Sequence, residues 1–340
     1  MERPSQKLIA KTLGISTAAV SLALRDTGTI SKELSEKVKE TARSLGYRPN
    51  PMLSSLASKR FRESDTPLSI PLVLLDFVTK ESSYRRELKS RAEELGYTLS
   101  VIEAKSLEKY ANPSLTLYNR GVQGIILMGP IPQGSFREDF NWEDFSVVQC
   151  GRFLEPLPFD TVRPNIFQAM KLIFTKVLER GYKRIGFALG RHDPLLEDDE
   201  SRISAALGLI EVHCESINHI RPFMGSFTDS DALIKWAKKN EPDCIIGFHI
   251  GQCATLVEAG LKIPEEIAFA CLHLNGAPYL GDARNLNIAG MEQQLQEIAY
   301  QSVNLVDQSI RHHVRGKPAL PRQVLVPSYW VDGDSLPNKR

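Results

Sequence analysis

From Leu68 onward, short apolar runs typical of strands alternate with amphipathic segments typical of helices. Strands and helices in alternation predict parallel sheets with helices on both faces. The chain contains two such series, which together are too long for the core of one sheet, so we expect two lobes. The segments are IPLVLLD, SSYRRELKSRAEELG, YTLSVIEA, GVQGIILMG and FSVVQCG in the first series, and FQAMKLIFTKVLERG, YKRIGFALG, SRISAALGLIEV, PDCIIGFHI and EEIAFACL in the second.

The first 62 residues have a different pattern, which predicts three short helices. Ser5, Ser16 and Ser31 stand where a side-chain oxygen can cap the start of a helix. Gly14 supplies the backbone freedom that ends the first helix. Two helices joined at a glycine corner and followed by a third predict an all-α helix-turn-helix unit.

The second of these helices has an outer face of mostly small side chains. Val20 and Leu24 lie one turn apart and are predicted to face inward. Small side chains let a helix approach base edges closely in a DNA major groove. A plain three-helix bundle has the same spacing, so the pattern alone leaves both interpretations open. The residues predicted to point outward are Thr17, Ala18, Ser21, Leu22 and Arg25.

The charge of the chain is divided unevenly between its two parts. Residues 1–62 contain 12 Lys+Arg and 5 Asp+Glu, a net charge of +7, and the remainder carries a net charge of −6. A basic head on an acidic body indicates that the head alone meets a polyanion. The charge therefore favours DNA binding over a plain bundle.

The stretch PNPMLSSLASKR predicts another short helix directly after the headpiece. Asn50 is a good N-cap and Pro51 suits the first helical position. About eight residues are too few to form a stable helix alone in water. A minor-groove step or the same helix of a second chain could cover its apolar face. That face consists of Met52, Leu53 and Leu56.

The runs KLIAKTLGISTAAVSLAL, TISKELSEKVKETARSLGYRPN and PMLSSLASKR resemble the DNA-binding headpiece of the LacI/GalR (lactose repressor) family of bacterial transcription regulators. The resemblance implies a repressor that binds a palindromic operator in double-stranded DNA as a homodimer, with Leu56 inserted at its centre. The family usually has an arginine where this chain has Leu22, so contacts with thymine methyl groups are expected at Leu22 and Ala18. The candidate DNA-binding residues are Ser16, Thr17, Ala18, Ser21, Leu22, Arg25, Ser31, Tyr47, Asn50, Leu53 and Leu56.

The body also resembles this family, whose body looks like a two-lobed periplasmic sugar-binding protein. The matching phrases are RGVQGIILMG, LERGYKRIGFALG, ESRISAAL and GLKIPEEIAFA. By the resemblance, the chain crosses between the lobes near residues 162, 290 and 323. The implied domains are a helix-turn-helix domain at 1–48, a hinge helix and linker at 49–67, and an effector-binding and dimerisation domain at 68–340, with lobe 1 at about 68–162 and 291–322 and lobe 2 at about 163–290 and 323–340.

The cleft between the lobes is expected at the carboxyl ends of the strands, where ligands bind in such sheets. Arg202 matches an arginine that commonly contacts the effector in the family. His249 and His273 stand where the family has acidic residues, and Asp76 ends the first strand, where it could hold a ligand or a loop. These four residues are the candidate effector-binding set.

The two histidines leave three interpretations open. They could bind an acidic or planar ligand, or respond to pH. They could equally be loop or core residues satisfied by backbone hydrogen bonds. The third interpretation is an eroded cleft in a regulator that responds to no small molecule. Where an effector exists, the resemblance implies a carbohydrate or a related metabolite.

Motifs for other chemistries are absent from the sequence. It contains no G-x-S-x-G, G-x-x-x-x-G-K-[ST], H-E-x-x-H or G-x-G-x-x-G, so no enzyme activity and no cofactor is expected. The acidic run at 197–200 could bind a cation, but a solvated loop capping the helix of Arg202 is favoured, and no metal site is predicted.

Two rival classes fit part of the chain. A solute-binding protein would share the body, but the headpiece and the lack of a signal peptide argue against it. An enzyme acting on a small carbohydrate would need a positioned acid and base, for which Asp76 is the only obvious carboxylate. Since no run of about 18 apolar residues exists, a cytoplasmic protein without membrane contact is expected.

Overall fold

The fold comprises a three-helix headpiece and two β-sheets that carry helices. The computed structural model describes residues 5–25, 30–45, 47, 69–77, 83–129, 131, 140–151, 157–213, 215, 220–226, 228–274 and 286–339. Within these ranges, no single helix is long and apolar enough to cross a membrane. The first two helices together reach the length and apolar composition of a membrane span, but they are bent by 109° relative to each other.

The headpiece helices are α1 (Gln6–Leu13), α2 (Thr17–Arg25) and α3 (Lys32–Ser44). Each begins after a serine whose hydroxyl oxygen accepts a backbone N–H three residues further on, at 3.2 Å for Ser5, 3.1 Å for Ser16 and 3.4 Å for Ser31. Such a cap contributes about 1 kcal/mol. Gly14 ends α1 with φ of 65°, in the left-handed region. The predicted caps and glycine corner are confirmed.

The three helices share one small apolar core. Val20 and Leu24 of α2 are buried in it, so their predicted inward orientation is confirmed. The Ser35 hydroxyl donates to the Ala23 carbonyl oxygen at 3.2 Å and ties α3 to α2. The outer face of α2 is thereby fixed relative to the rest of the headpiece. The buried core residues are Ile9, Ala10, Val20, Ala23, Leu24, Val38 and Ala42.

The first lobe is built on a parallel sheet. Its strands are β1 (Ile70–Asp76), β2 (Tyr97–Glu103), β3 (Gly124–Met128), β4 (Ser146–Cys150), β5 (Asp160–Pro164) and β10 (Gln323–Val326), in the order β10-β5-β4-β3-β1-β2. Every residue of β3 and β4 is buried, as expected for strands covered by helices on both faces. The helices of this lobe are α4 (Ser83–Glu94), α5 (Pro113–Asn119) and α10 (Leu295–Arg311), with 3₁₀ turns at Ala104–Lys109 and Trp142–Asp144.

The second lobe is built on a second sheet with the strand order β11-β9-β8-β7-β6. Four of these strands are parallel, and the edge strand β11 runs antiparallel to β9. The strands are β6 (Ile185–Ala188), β7 (Cys244–His249), β8 (Ala268–His273), β9 (Ala289–Glu292) and β11 (Tyr329–Val331); the helices are α6 (Ile166–Glu179), α7 (Glu197–Val212), α8 (Ser230–Asn240) and α9 (Ile250–Glu258). The predicted fold class, parallel α/β sheets behind a helical headpiece, is confirmed.

The chain passes between the two sheets after β5, after β9 and after β10. The sequence prediction assigned 323–340 to the second lobe, whereas β10 pairs with β5 of the first sheet. Two features hold it there. Val326 is buried in the first-lobe core, and its carbonyl oxygen accepts the N–H of Asn165 at 2.8 Å. The third crossing therefore lies after Val326 instead of near 323.

Candidate DNA-binding surface and inter-lobe cleft

The candidate DNA-binding surface is the outer face of α2. Thr17 and Ala18 are exposed, Ser21 is half-buried, and Leu22 is 38% exposed although it is a large apolar residue. The side chain of Arg25 lies outside the described residues. Since no described side chain on this face is larger than leucine, the helix backbone can approach the floor of a groove closely.

The other candidate DNA-binding residues have different surroundings. Ser16 and Ser31 are exposed and cap α2 and α3. Tyr47 packs against the headpiece core, and its backbone N–H donates to the Ala42 carbonyl oxygen at 2.8 Å. Burial raises the pKa of the Tyr47 hydroxyl, while a hydrogen bond with Gln6 acts in the opposite direction. Asn50, Leu53 and Leu56 lie outside the described residues.

On the first-lobe side of the cleft, β1 ends in Asp76. Its carboxylate is buried, and Arg85 of α4 donates through Nε to Oδ2 at 2.5 Å. A buried carboxylate needs such a partner, because an unpaired charge in the interior is costly. The structure thus gives Asp76 a role in holding α4 at the end of β1.

On the second-lobe side, Arg202 of α7 is fully buried. Its Nη2 donates to the Gly190 carbonyl oxygen at 3.0 Å and to Asp199 Oδ1 at 2.6 Å. The guanidinium carbon lies 3.8 Å from the centroid of the Phe248 ring, in cation–π contact. Arg202 is therefore enclosed by groups of its own lobe.

Asp199 connects Arg202 to the loop that precedes α7. Its carboxylate accepts the backbone N–H groups of His192 and Leu196, each at 3.0 Å, and lies 2.9 Å from His192 Nδ1. Burial alone raises the pKa of Asp199, but the hydrogen bonds from Leu196, His192 and Arg202 outweigh it and lower the pKa below its ordinary value. The carboxylate is therefore ionised and holds the loop in place.

The two histidines predicted as effector ligands both use Nδ1 inside the protein. His249 caps α9, and its Nδ1 accepts the N–H of Gly251 at 3.0 Å. His273 is buried, with Nδ1 2.7 Å from Nε2 of Gln293, which lies on the second crossing. Both rings adjoin Phe248, with centroid distances of 5.8 and 4.6 Å. Nδ1 of each ring thus has a partner within the protein, and an effector contact of either histidine stays a prediction.

A cluster around Arg163 was missed by sequence reasoning. Arg163 lies on β5 and is 5% exposed. Its guanidinium pairs with Glu197 and with Asp198 at 3.3 Å, and it donates to the Ser201 hydroxyl at 3.3 Å. The cluster joins the first sheet to the first turn of α7 beside the first crossing. The available signal was an arginine inside the buried strand DTVRP, in a chain with a concentrated acidic run.

The acidic run itself corrects a prediction. Its preference for a helix N-terminus is confirmed, because all four acids stand in the first turn of α7. The expectation of a solvated loop is wrong, since Asp198 and Asp199 are buried. They are buried because Arg163 and Arg202 supply ionic partners from two sides.

Comparisons with known proteins give a consistent result. The family model "Bacterial regulatory proteins, lacI family" matches residues 7–50. Catabolite control protein A of Staphylococcus aureus (strain MRSA252) is 24% identical over 273 residues, which cover 76% of this chain and 79% of the relative. The Lac repressor dimer bound to operator and the anti-inducer ONPF has a TM-score of 0.61 at 15% identity, over 97% of this chain and 98% of that one. The complex of the transcriptional regulator CelR with cellobiose has a TM-score of 0.56 at 15% identity, over 98% and 100%.

A helix-turn-helix headpiece followed by a periplasmic-binding-protein-like body defines a class of DNA-binding transcription regulators. Over its headpiece the chain matches the LacI family model, and over nearly its whole length its fold is similar to that of the Lac repressor. The resemblance drawn from the headpiece motifs is thereby confirmed. The named relatives are regulators of transcription, in keeping with the expectation that the chain is not an enzyme.

Proposed function

We propose that the protein is a repressor that binds a palindromic operator as a homodimer and is modulated by a small-molecule effector in the inter-lobe cleft. The observation that carries the DNA-binding part is the outer face of α2, which bears small residues and an exposed Leu22. This helix belongs to the N-terminal segment 1–62, whose net charge is +7. The basic charge supplies attraction to phosphates, and the small face allows base contacts.

The dimer and the operator are supported by similarity of architecture. The Lac repressor structure, which shares this fold over almost the whole chain, is a dimer bound to its operator. A two-fold symmetric protein binds two half-sites related by the same symmetry, so its operator is a palindrome. In the proposed homodimer, one α2 lies in each of two major grooves.

The effector is proposed to be an uncharged carbohydrate or a related metabolite. The acids between residues 190 and 202 outnumber the arginines by five to two, and Arg163 reduces the local net charge to −2 with His192 neutral. Such surroundings repel sugar acids and sugar phosphates. The CelR complex, similar in fold, contains the uncharged sugar cellobiose.

A regulator without an effector is the second candidate. The observation that favours it is that two of the predicted effector-binding residues already have partners within the protein. Arg202 is enclosed by Asp199, Gly190 and Phe248, and Asp76 is engaged by Arg85. If these residues serve only the fold, control of transcription would come from the amount of the protein.

Selection of duplexes from a random pool by the full chain tests the DNA-binding proposal. We expect the enriched sequences to contain a palindrome, and sedimentation to give two chains per duplex. Enrichment without symmetry, or one chain per duplex, would contradict the dimer.

Titration of small-molecule probes into the complex of the protein with its selected duplex distinguishes a regulator controlled by an effector from one without an effector. The probes are cellobiose, gluconate, glucose 6-phosphate and adenine, one for each chemical class. A change in operator affinity with cellobiose alone supports an uncharged effector. A change with gluconate or glucose 6-phosphate overturns the charge argument, and no change with any probe favours the effector-independent regulator.

A further inference from the structure

One buried arginine of the first lobe makes its ion pairs with the second lobe. Arg163 lies on β5, which pairs with β4 and β10 in the first sheet. Its acidic partners stand at the start of α7, whose inner face is packed in the core of the second lobe. We propose that Arg163 is a positioning residue that holds the start of α7 against the first lobe and thereby couples the effector site to operator binding. This inference rests on the proposed effector control.

The contacts of Arg163 with α7 form one connected group, the inter-lobe bridge. Arg163 pairs with Glu197 and with Asp198, and its Nη2 donates to the Ser201 hydroxyl at 3.3 Å. The Ser201 hydroxyl in turn donates to Glu197 Oε1 at 3.2 Å. Three residues at the start of one helix are thus held by a single guanidinium, whose several donors suit more than one acceptor.

The inter-lobe bridge is shielded from water. The side chains of Arg163 and Asp198 are 6% and 4% exposed. In a site that excludes water an ion pair is strong, and either charge is costly to keep buried alone. Movement of α7 away from β5 would separate these charges. The bridge therefore opposes movement of the two lobes relative to each other at this point.

The same part of α7 carries the second arginine of the cleft. Asp198 pairs with Arg163 of the first lobe, and the next residue, Asp199, pairs with Arg202 of its own helix. Asp199 also accepts the backbone N–H of His192 in the loop before α7. A shift of this turn relative to the first lobe therefore moves the candidate effector residue Arg202 together with the loop. An effector that changes the position of the turn would change operator affinity, and by linkage the operator would change effector affinity by the same factor.

Hydrogen exchange of the full chain tests whether the bridge holds the turn. We expect Arg163→Met to accelerate exchange of the amides of residues 199–202 at least tenfold, while residues 208–211 at the other end of α7 keep their rates. The control is Arg322→Met, which removes the partner of the buried Asp160 at the opposite end of β5. Because that pair lies within the first lobe, exchange in α7 should not change. Unaltered exchange at 199–202 in Arg163→Met would overturn the positioning role.

Coupling is measured as the factor by which the active probe, among cellobiose, gluconate, glucose 6-phosphate and adenine, changes operator affinity. In Arg163→Met this factor should fall at least threefold, whereas Arg322→Met should keep the wild-type factor. The double variant Arg163→Met/Asp198→Asn separates coupling from stability and takes the place of Arg163→Met if the single variant does not fold. It removes both of the most buried charges of the bridge, so resistance to urea should recover, but the factor should stay low. Recovery of the factor together with stability would show that Arg163 serves only the fold.

Two further outcomes of the titration have separate meanings. If a probe acts on the wild type and acts equally on Arg163→Met, the coupling role is overturned and effector control stands. If no probe changes operator affinity in the wild type, effector control fails and the coupling role fails with it. The exchange measurement then still decides whether Arg163 positions the start of α7.

Discussion

The headpiece and the second-lobe cleft place their key residues in opposite ways. On α2, the candidate residues Thr17, Ala18 and Leu22 stand exposed on the surface. In the cleft, the residues that the sequence singled out are largely buried: Arg202 is fully covered and His273 is 4% exposed. The headpiece presents its candidate residues directly, whereas the cleft encloses most of them in a network of its own groups.

This difference follows from what each surface has to meet. DNA is a large, stiff partner that comes to the protein from outside, so a reading surface has to project. A small ligand is enclosed by the protein, and the groups that touch it need supporting groups behind them. Fewer cleft residues are therefore expected to touch the ligand than are needed to hold those residues in place.

The largest expected effect comes from breaking the buried support in the cleft. Asp199→Ala leaves Arg202 buried without its carboxylate, and removal of one partner of a buried ion pair costs about 3–5 kcal/mol. Urea denaturation of the full chain measures the free energy of unfolding. Asp193→Ala, on the exposed part of the same loop, is the matched control and should change it little. A loss below about 1 kcal/mol for Asp199→Ala would contradict the supporting role.

The ion pair between Asp199 and Arg202 makes the stability of the fold depend on pH in a defined direction. The pKa of Asp199 is lower in the folded protein than in the unfolded chain, where it is about 3.9. Its contribution to stability is therefore complete above that value and is lost as the pH falls through the folded pKa. We expect the stability difference between wild type and Asp199→Asn to narrow from pH 5 to pH 2.5. A difference that stays constant over this range would show that folding does not shift the pKa of Asp199.

The reading surface is tested by Leu22→Glu. The change removes an apolar contact to thymine methyl groups and adds a negative charge near phosphates, so affinity for the selected operator should fall about tenfold or more. Gel-shift titration at fixed salt measures the effect. Leu115→Glu, which alters a leucine of similar exposure on α5 of the first lobe, should leave affinity unchanged. Equal losses of operator affinity in both variants would show that α2 does not read the DNA sequence.

The smallest expected effect concerns the cap of the reading helix. Ser16→Ala removes the acceptor for the Ala19 N–H and should cost about 1 kcal/mol, seen as roughly fivefold faster hydrogen exchange in α2. Ser90→Ala, at an exposed position inside α4, is the control and should not accelerate exchange in α4. An unchanged rate in α2 would mean that the helix start is held by other contacts.

The sequence predicts local features well and distant partners poorly. Ser5, Ser16 and Ser31 were predicted as caps because a cap depends on residues three positions away. The pairing of Arg163 with Asp198 was missed, because their meeting depends on how two lobes pack. The short strand β10 was placed in the wrong lobe for the same reason, since four residues do not specify which sheet they join.

The cleft illustrates the same limit within one motif. Sequence reasoning placed Arg202 on a helix, where the structure has it, but the type of a residue does not determine whether its side chain is buried. Its burial depends on Phe248, which is 46 positions away in the sequence and packs over the guanidinium. Only the tertiary structure indicates that His192 is the exposed member of this group.

The most direct test of the account is the ratio of affinities of the full chain for its selected duplex and for a scrambled duplex of the same length. Both are measured by gel shift at one physiological salt concentration. A sequence-reading regulator should bind the selected duplex about 10³-fold or more tightly than the scrambled one. Similar affinities for the two duplexes would mean that the headpiece binds DNA by charge alone, which would contradict the proposed function.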